Sequence, residues 1–137
     1  MNQVIRTTEK TAAAATITTA GIHLTVTPTV PVKLVRVVVV VTTGVTVAAE
    51  TITVQRRPIA GTAANQVTLG AFTVPIAAAG SVFYFEDFDL AEINPGEDLT
   101  VASSGASTAG AAHIGVELIE DPFVGSRVAG ATLAAAA

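Results

Sequence analysis

The sequence predicts an all-β fold: an antiparallel β-sandwich, jelly-roll-like, of about eight strands with extended N- and C-terminal arms. Three observations predict it. β-Branched residues crowd the segment 32–54, where a run of Val is interrupted at Thr42-Thr43-Gly44 and then resumes. Val, Ile and Thr are stiff at χ1 and suit a pleated surface better than a helix. Short apolar–polar alternations recur about every 8–12 residues with Gly and Pro between them, the spacing of a sandwich or barrel. No long segment carries a 3.6-residue apolar period.

The elements follow in order. Residues 16–19 and 22–27 alternate around Ala20-Gly21, and the second run stops at Pro28. Pro28 and Pro31 mark an extended connection, since neither can donate a ladder hydrogen bond. Residues 32–42 and 45–55 read as two long strands joined at 42–44, with 47–50 alternatively a bulge or a short helical turn. A loop over 56–65 is broken by Pro58 and Gly61. Residues 67–74 alternate moderately as far as Pro75. Residues 81–90 form the aromatic strand, with Phe83 and Phe85 on one face and Val82, Tyr84 and Glu86 on the other. Asn94-Pro95-Gly96 is a turn signal. Residues 99–103 and 112–120 read as the closing pair, linked by a small-residue loop over 104–110, with Ile114, Val116 and Leu118 on one buried face. The expected core comprises Phe72, Phe83, Phe85 and Phe88 with Leu34, Val38, Val40, Ile52, Val54, Leu69 and Leu99.

Composition bounds the function. The 137 residues make one domain, divided as an N-terminal arm (1–11), a sandwich (12–122) and an apolar C-terminal arm (123–137). Half of the residues are hydrophobic and only 13% are charged, about half the usual charged share. So little charge suits a surface that meets other protein. A net charge of −4 argues against nucleic acid, which needs a basic stripe. The one basic doublet, Arg56-Arg57, reads as part of a solvated loop. Absence of Cys excludes disulfides, thiolate chemistry and Cys-based zinc sites. The polar start (1–10) reads as no signal peptide, and 37–41 is far shorter than the ~18 apolar residues of a membrane helix. Neither nucleic acid nor membrane is therefore an expected partner.

Catalytic chemistry is almost missing. His23 and His113 lie on separate strands without an acid at motif spacing, and read as structural histidines. No nucleophile elbow and no phosphate-binding glycine loop occurs. Glu86, Asp87, Asp89, Glu92, Glu97 and Asp98 form the one acidic cluster; they lack EF-hand spacing and read as a solvated rim or a patch facing a basic partner. With no Trp and one Tyr, a sugar-stacking cleft is weakly supported. The expectation is no enzyme, no catalytic residue, no cofactor and no metal.

Ile93-Asn94-Pro95-Gly96-Glu97-Asp98-Leu99-Thr100-Val101, then Ser107-Thr108-Ala109-Gly110-Ala111-Ala112, then Val116-Glu117-Leu118-Ile119-Glu120-Asp121-Pro122, resembles the C-terminal half of the capsid decoration, or cement, proteins of tailed bacteriophages. In that family a P-G-[DE]-x-[LI]-x-[VL] strand leads through a Thr/Ala/Gly loop into a closing strand. The resemblance covers roughly residues 80–122 and rests on a turn followed by strands, a motif of moderate specificity. It departs from the pattern at the polyalanine end (134–137) and in the strongly apolar 32–41.

The resemblance implies a β-sandwich with arms and no active site, bound to the outer surface of the virion capsid after synthesis in the host cytoplasm. Its partners would be the major capsid protein and two further copies of itself in a homotrimer. The candidate contact residues are Val35, Val37 and Val39 on the strand that is apolar on both faces, Arg56 and Arg57 in the loop, and Phe123, Val124, Arg127 and Leu133 in the C-terminal arm. The alternatives are another phage component (head-fibre base, minor capsid or tail-tube protein), or a carbohydrate-binding sandwich with a site around Tyr84, Asp87 and Asp89.

Overall fold

The computed structural model describes residues 6–11, 15–17, 19–107 and 109–120. The candidate contacts Phe123, Val124, Arg127 and Leu133, and the C-terminal arm that carries them, lie outside this set. The strands are β1 (Arg6–Thr11), β2 (Ala15–Thr16), β3 (Gly21–Val26), β4 (Val32–Thr46), β5 (Glu50–Arg57), β6 (Val67–Val74), β7 (Val82–Phe85), β8 (Glu92–Ile93), β9 (Asp98–Ser103) and β10 (Ala109–Glu120). Regular structure among the described residues is strand throughout. Arg6–Thr11, expected as part of an arm, is instead an edge strand antiparallel to β10.

Two antiparallel sheets form the sandwich. One has the order β1-β10-β4-β7, with the two-residue β2 and β8 attached to β10 and β4; the other has the order β3-β9-β5-β6. This interleaving of the eight longer strands is that of a jelly roll. Among these strands only β5 and β6 are consecutive partners; every other connection passes from one sheet to the other. The expected closing pair is therefore no pair: β9 lies between β3 and β5, and β10 between β1 and β4.

The long Val-rich run shows why. β4 does not turn at 42–44 but continues to Thr46. Gly44 marks a close backbone approach: a Cβ there would stand 3.3 Å from the carbonyl oxygen of Ala77, and Val45 bridges to Ala77. The chain leaves the sheet only at Val47, which has φ 77° and is 73% exposed. It then enters the opposite sheet as β5, so the two Val-rich strands never pair. A β-branched residue in the left-handed region is strained by about 1–2 kcal/mol. Val47→Gly is expected to raise stability by about 1 kcal/mol, read as a later urea midpoint at unchanged slope. A midpoint that falls would remove strain from this corner.

The faces of β4 are also displaced. Along β10, Ala112, Ile114, Val116 and Leu118 point inward, and they stand opposite Val41, Val39, Val37 and Leu34. The register shifts between Glu117↔Arg36 and Leu118↔Leu34, which leaves Val35 as an extra residue. A bulge of one residue exchanges the two faces of everything beyond it. Leu34 is thus in the core as expected, but Val37, Val39 and Val41 join it, and Val38 and Val40 lie half-buried on the outside.

The remaining core follows the sequence closely. Ile52, Val54 and Leu99 are fully buried, with Ile17, Ile93 and Val101 beside them. Phe83 and Phe85 point inward, opposite Val39 and Val37, while Val82 and Tyr84 point outward. Where the edge strands β6 and β7 meet, Phe72 stacks on Phe85 (centroids 4.7 Å apart, 15° between planes) and meets Phe88 edge-on at 5.3 Å. Gly70 leaves room for this cluster, because a Cβ there would lie 2.7 Å from the Phe72 ring.

Among the described residues Glu50 is the more deeply buried of two carboxyl side chains inside the protein, the other being Asp98. Glu50 opens β5 at 0% exposure. Its Oε1 accepts from Ser104 Oγ (3.0 Å) and from the Gly105 N–H (2.8 Å), and its Oε2 accepts from the Ser107 N–H. One carboxylate therefore joins the β4–β5 corner to the β9–β10 corner, both of which cross between sheets.

Candidate functional site

The two outer faces of the sandwich differ in chemistry. That of the four-stranded sheet is mostly polar, with Thr25, Thr51, Thr53, Gln55, Thr68 and Thr73 around a row of Ile22, Ala102 and Ala71. The outer face of the larger sheet is apolar at its centre. Register places Val38 beside Tyr84 and Gly115, and Val40 beside Val82 and His113. Tyr84 is 59% exposed and Val82 42%. Above this strip Arg36 is held by Glu117 (Nε to Oε2, 3.0 Å) and lies 3.8 Å from Glu86, with its guanidinium carbon 5.9 Å from the centre of the Tyr84 ring. The strip thus joins the half-buried Val38 and Val40 to the exposed Val82 and Tyr84.

The predicted contact residues divide accordingly. Val37 and Val39 are 0% exposed; they fill the sandwich and have no surface to offer a partner, which corrects their assignment as contacts. Their neighbours Val38 and Val40 lie on the outer face instead, for the reason of register given above. Val35 is the half-buried bulge residue. Arg56 and Arg57 belong to β5 rather than to a solvated loop. Arg56 reaches the carbonyl oxygen of Glu92 (Nη1, 3.4 Å), and Arg57 stands 4.0 Å from the buried Asp98. Asp98 Oδ2 also accepts from the Gly61 N–H at 2.9 Å, tying the 58–66 loop down. Both arginines are thus committed within the fold.

A Ser–His pair exists that spacing did not reveal, because its members are 80 positions apart. The β3–β9 register passes from Ile22↔Ala102 to Leu24↔Val101, leaving His23 as a bulge residue aimed at Ser103. His23 Nε2 lies 2.7 Å from Ser103 Oγ, which also stands 2.8 Å from the Ile17 carbonyl oxygen and 3.1 Å from that of Thr19. A carbonyl can only accept, so the hydroxyl proton goes to one of these and His23 donates to Oγ. Ser103 is 6% exposed, and among the described residues no carboxylate pairs with His23. The hydroxyl pins edge strand β3 and the carbonyls of Ile17 and Thr19 to β9; a nucleophile would need a free proton path to the histidine and an open approach.

The acidic cluster is dispersed. Glu97 Oε1 accepts from the Asn94 N–H (2.9 Å) and closes the Asn94-Pro95-Gly96 turn. Glu86, Asp87 and Asp89 are exposed on the loop after β7, and among the described residues no three acids or histidines converge on a metal position. A recess of about 210 Å³ lies at one end of the sandwich, lined by Val26, Pro28, Val30, Val32 and Leu118 with Glu120 beside them. It does not adjoin Tyr84, Asp87 or Asp89. No helix among the described residues is long and apolar enough to cross a membrane. Compared with protein-family models, with curated proteins and with solved structures, the chain matches none.

Proposed function

We propose that this chain is a structural virion protein that decorates and braces the outer surface of a tailed-phage capsid, binding capsomers as a trimer. The observation that carries an assembly role is the apolar outer face of the β1-β10-β4-β7 sheet, with Val38, Val40, Val82 and Tyr84 at its centre. A monomer working alone in water gains nothing from such a face. The resemblance over residues 80–122 supports the phage capsid as its setting. Jelly rolls occur in capsid proteins and in lectins alike, so the fold is compatible with this role without selecting it.

The test is co-sedimentation of the purified chain with empty shells assembled from a tailed-phage major capsid protein of the same genome. Binding is expected to saturate at three chains per threefold position, with the free chain sedimenting as a trimer. A chain that stays in the supernatant at every concentration tried would end this assignment.

A further inference from the structure

The apolar strip on the larger sheet has a border, and the border has a sign. Five carboxylates stand toward its Arg36 end: Glu117 on β10, Glu92 on β8, and Glu86, Asp87 and Asp89 on the loop leaving β7. Two cations, Lys33 and Arg36, lie among them on β4. Arg36 already faces both Glu117 and Glu86, and Lys33 is opposite Glu92 in the β4–β8 register. Glu86, Asp87 and Asp89 are exposed at the β7 side of the strip.

This arrangement discriminates between occupants. A second copy of the chain laid face to face would offer this acidic end either another acidic end, which is costly and slows association, or the uncharged Val40–Val82 end, since Arg36 and Lys33 already face acids of their own sheet. A partner with an apolar ridge flanked by Lys and Arg would meet both the strip and its border. We infer that the outer face of β10, β4 and β7 docks a different protein of that chemistry, and that copies of this chain contact one another elsewhere. Naming the partner as the capsid shell rests on the function proposed above; the chemistry of the face does not.

Two arms keep the two apart. In the first, an alternating Leu–Lys peptide is titrated into the isotope-labelled chain. The expected shifts centre on Val38, Val40, Val82 and Tyr84 and disappear with added salt. Shifts confined to the Thr51 and Thr53 face would overturn the inference. In the second, the Val82→Lys/Tyr84→Lys double variant and a Thr51→Lys/Thr73→Lys control are compared with the unaltered chain on shells. All four sites are exposed, so both variants are expected to keep the native denaturation curve. The first should lose about tenfold or more in affinity and the control should not. Should the double variant bind shells as tightly as the unaltered chain, or lose self-association instead, the face is wrongly assigned although the capsid role stands. If the peptide maps to this face while the unaltered chain ignores shells, the capsid role falls and the docking face stands.

Discussion

Val39→Asp leaves the domain unfolded, while Val40→Asp one residue away costs about 1 kcal/mol. Val39 is 0% exposed between Ile114 on β10 and Phe83 on β7. A carboxylate placed there has neither water nor a cation, and its penalty of several kcal/mol is comparable with the roughly 5–15 kcal/mol that holds a domain together. Val40 faces outward beside Val82 and His113, where a carboxylate keeps much of its hydration. Far-UV circular dichroism and urea titration of the pair would decide the matter. Equal destabilisation by the two substitutions would mean that β4 does not have one inner and one outer face.

Glu50→Ala is expected to cost about 4 kcal/mol, and Glu50→Gln about 2 kcal/mol. Alanine would strand the Gly105 and Ser107 N–H groups and the Ser104 hydroxyl inside the protein. Glutamine keeps one acceptor oxygen but turns an NH₂ group toward donors, so it restores part of the network. The loss should appear as a lower urea midpoint with little change in slope. Because the carboxylate joins the β4–β5 and β9–β10 corners, hydrogen exchange at residues 104–107 should rise ahead of that in β4. A midpoint for the alanine variant close to that of the unaltered chain would show that the buried carboxylate is not a latch.

Glu50 also shows where sequence reasoning stops. A single Glu inside a Val- and Thr-rich run is visible, and so is the Ser104-Gly105-Ala106-Ser107 loop with its backbone N–H groups, but nothing local joins them across more than fifty positions. His23 and Ser103 were hidden for the same reason. Local chemistry was legible: the aromatic faces of β7, the turn at Asn94-Pro95-Gly96, the alternation in β10 and the buried Ile52, Val54 and Leu99 all stand where pattern placed them. The error on β4 came from one residue. In a uniform Val run, alternation carries no mark of which parity is inside, and the bulge at Val35 decides it through the pairing of β4 with β10.

By itself the sequence determined the class of fold, the strand content and the poverty in charge, because residue stiffness, period and punctuation are local properties. Tertiary structure alone decided which strands are neighbours, since in a jelly roll nearly every connection leaves its own sheet. It also decided which valines are core and which are surface. Charge-poor composition could predict apolar surface somewhere; only the register of β10, β4 and β7 sets Val38, Val40, Val82 and Tyr84 side by side, because a sheet face is built from residues that are distant in the chain.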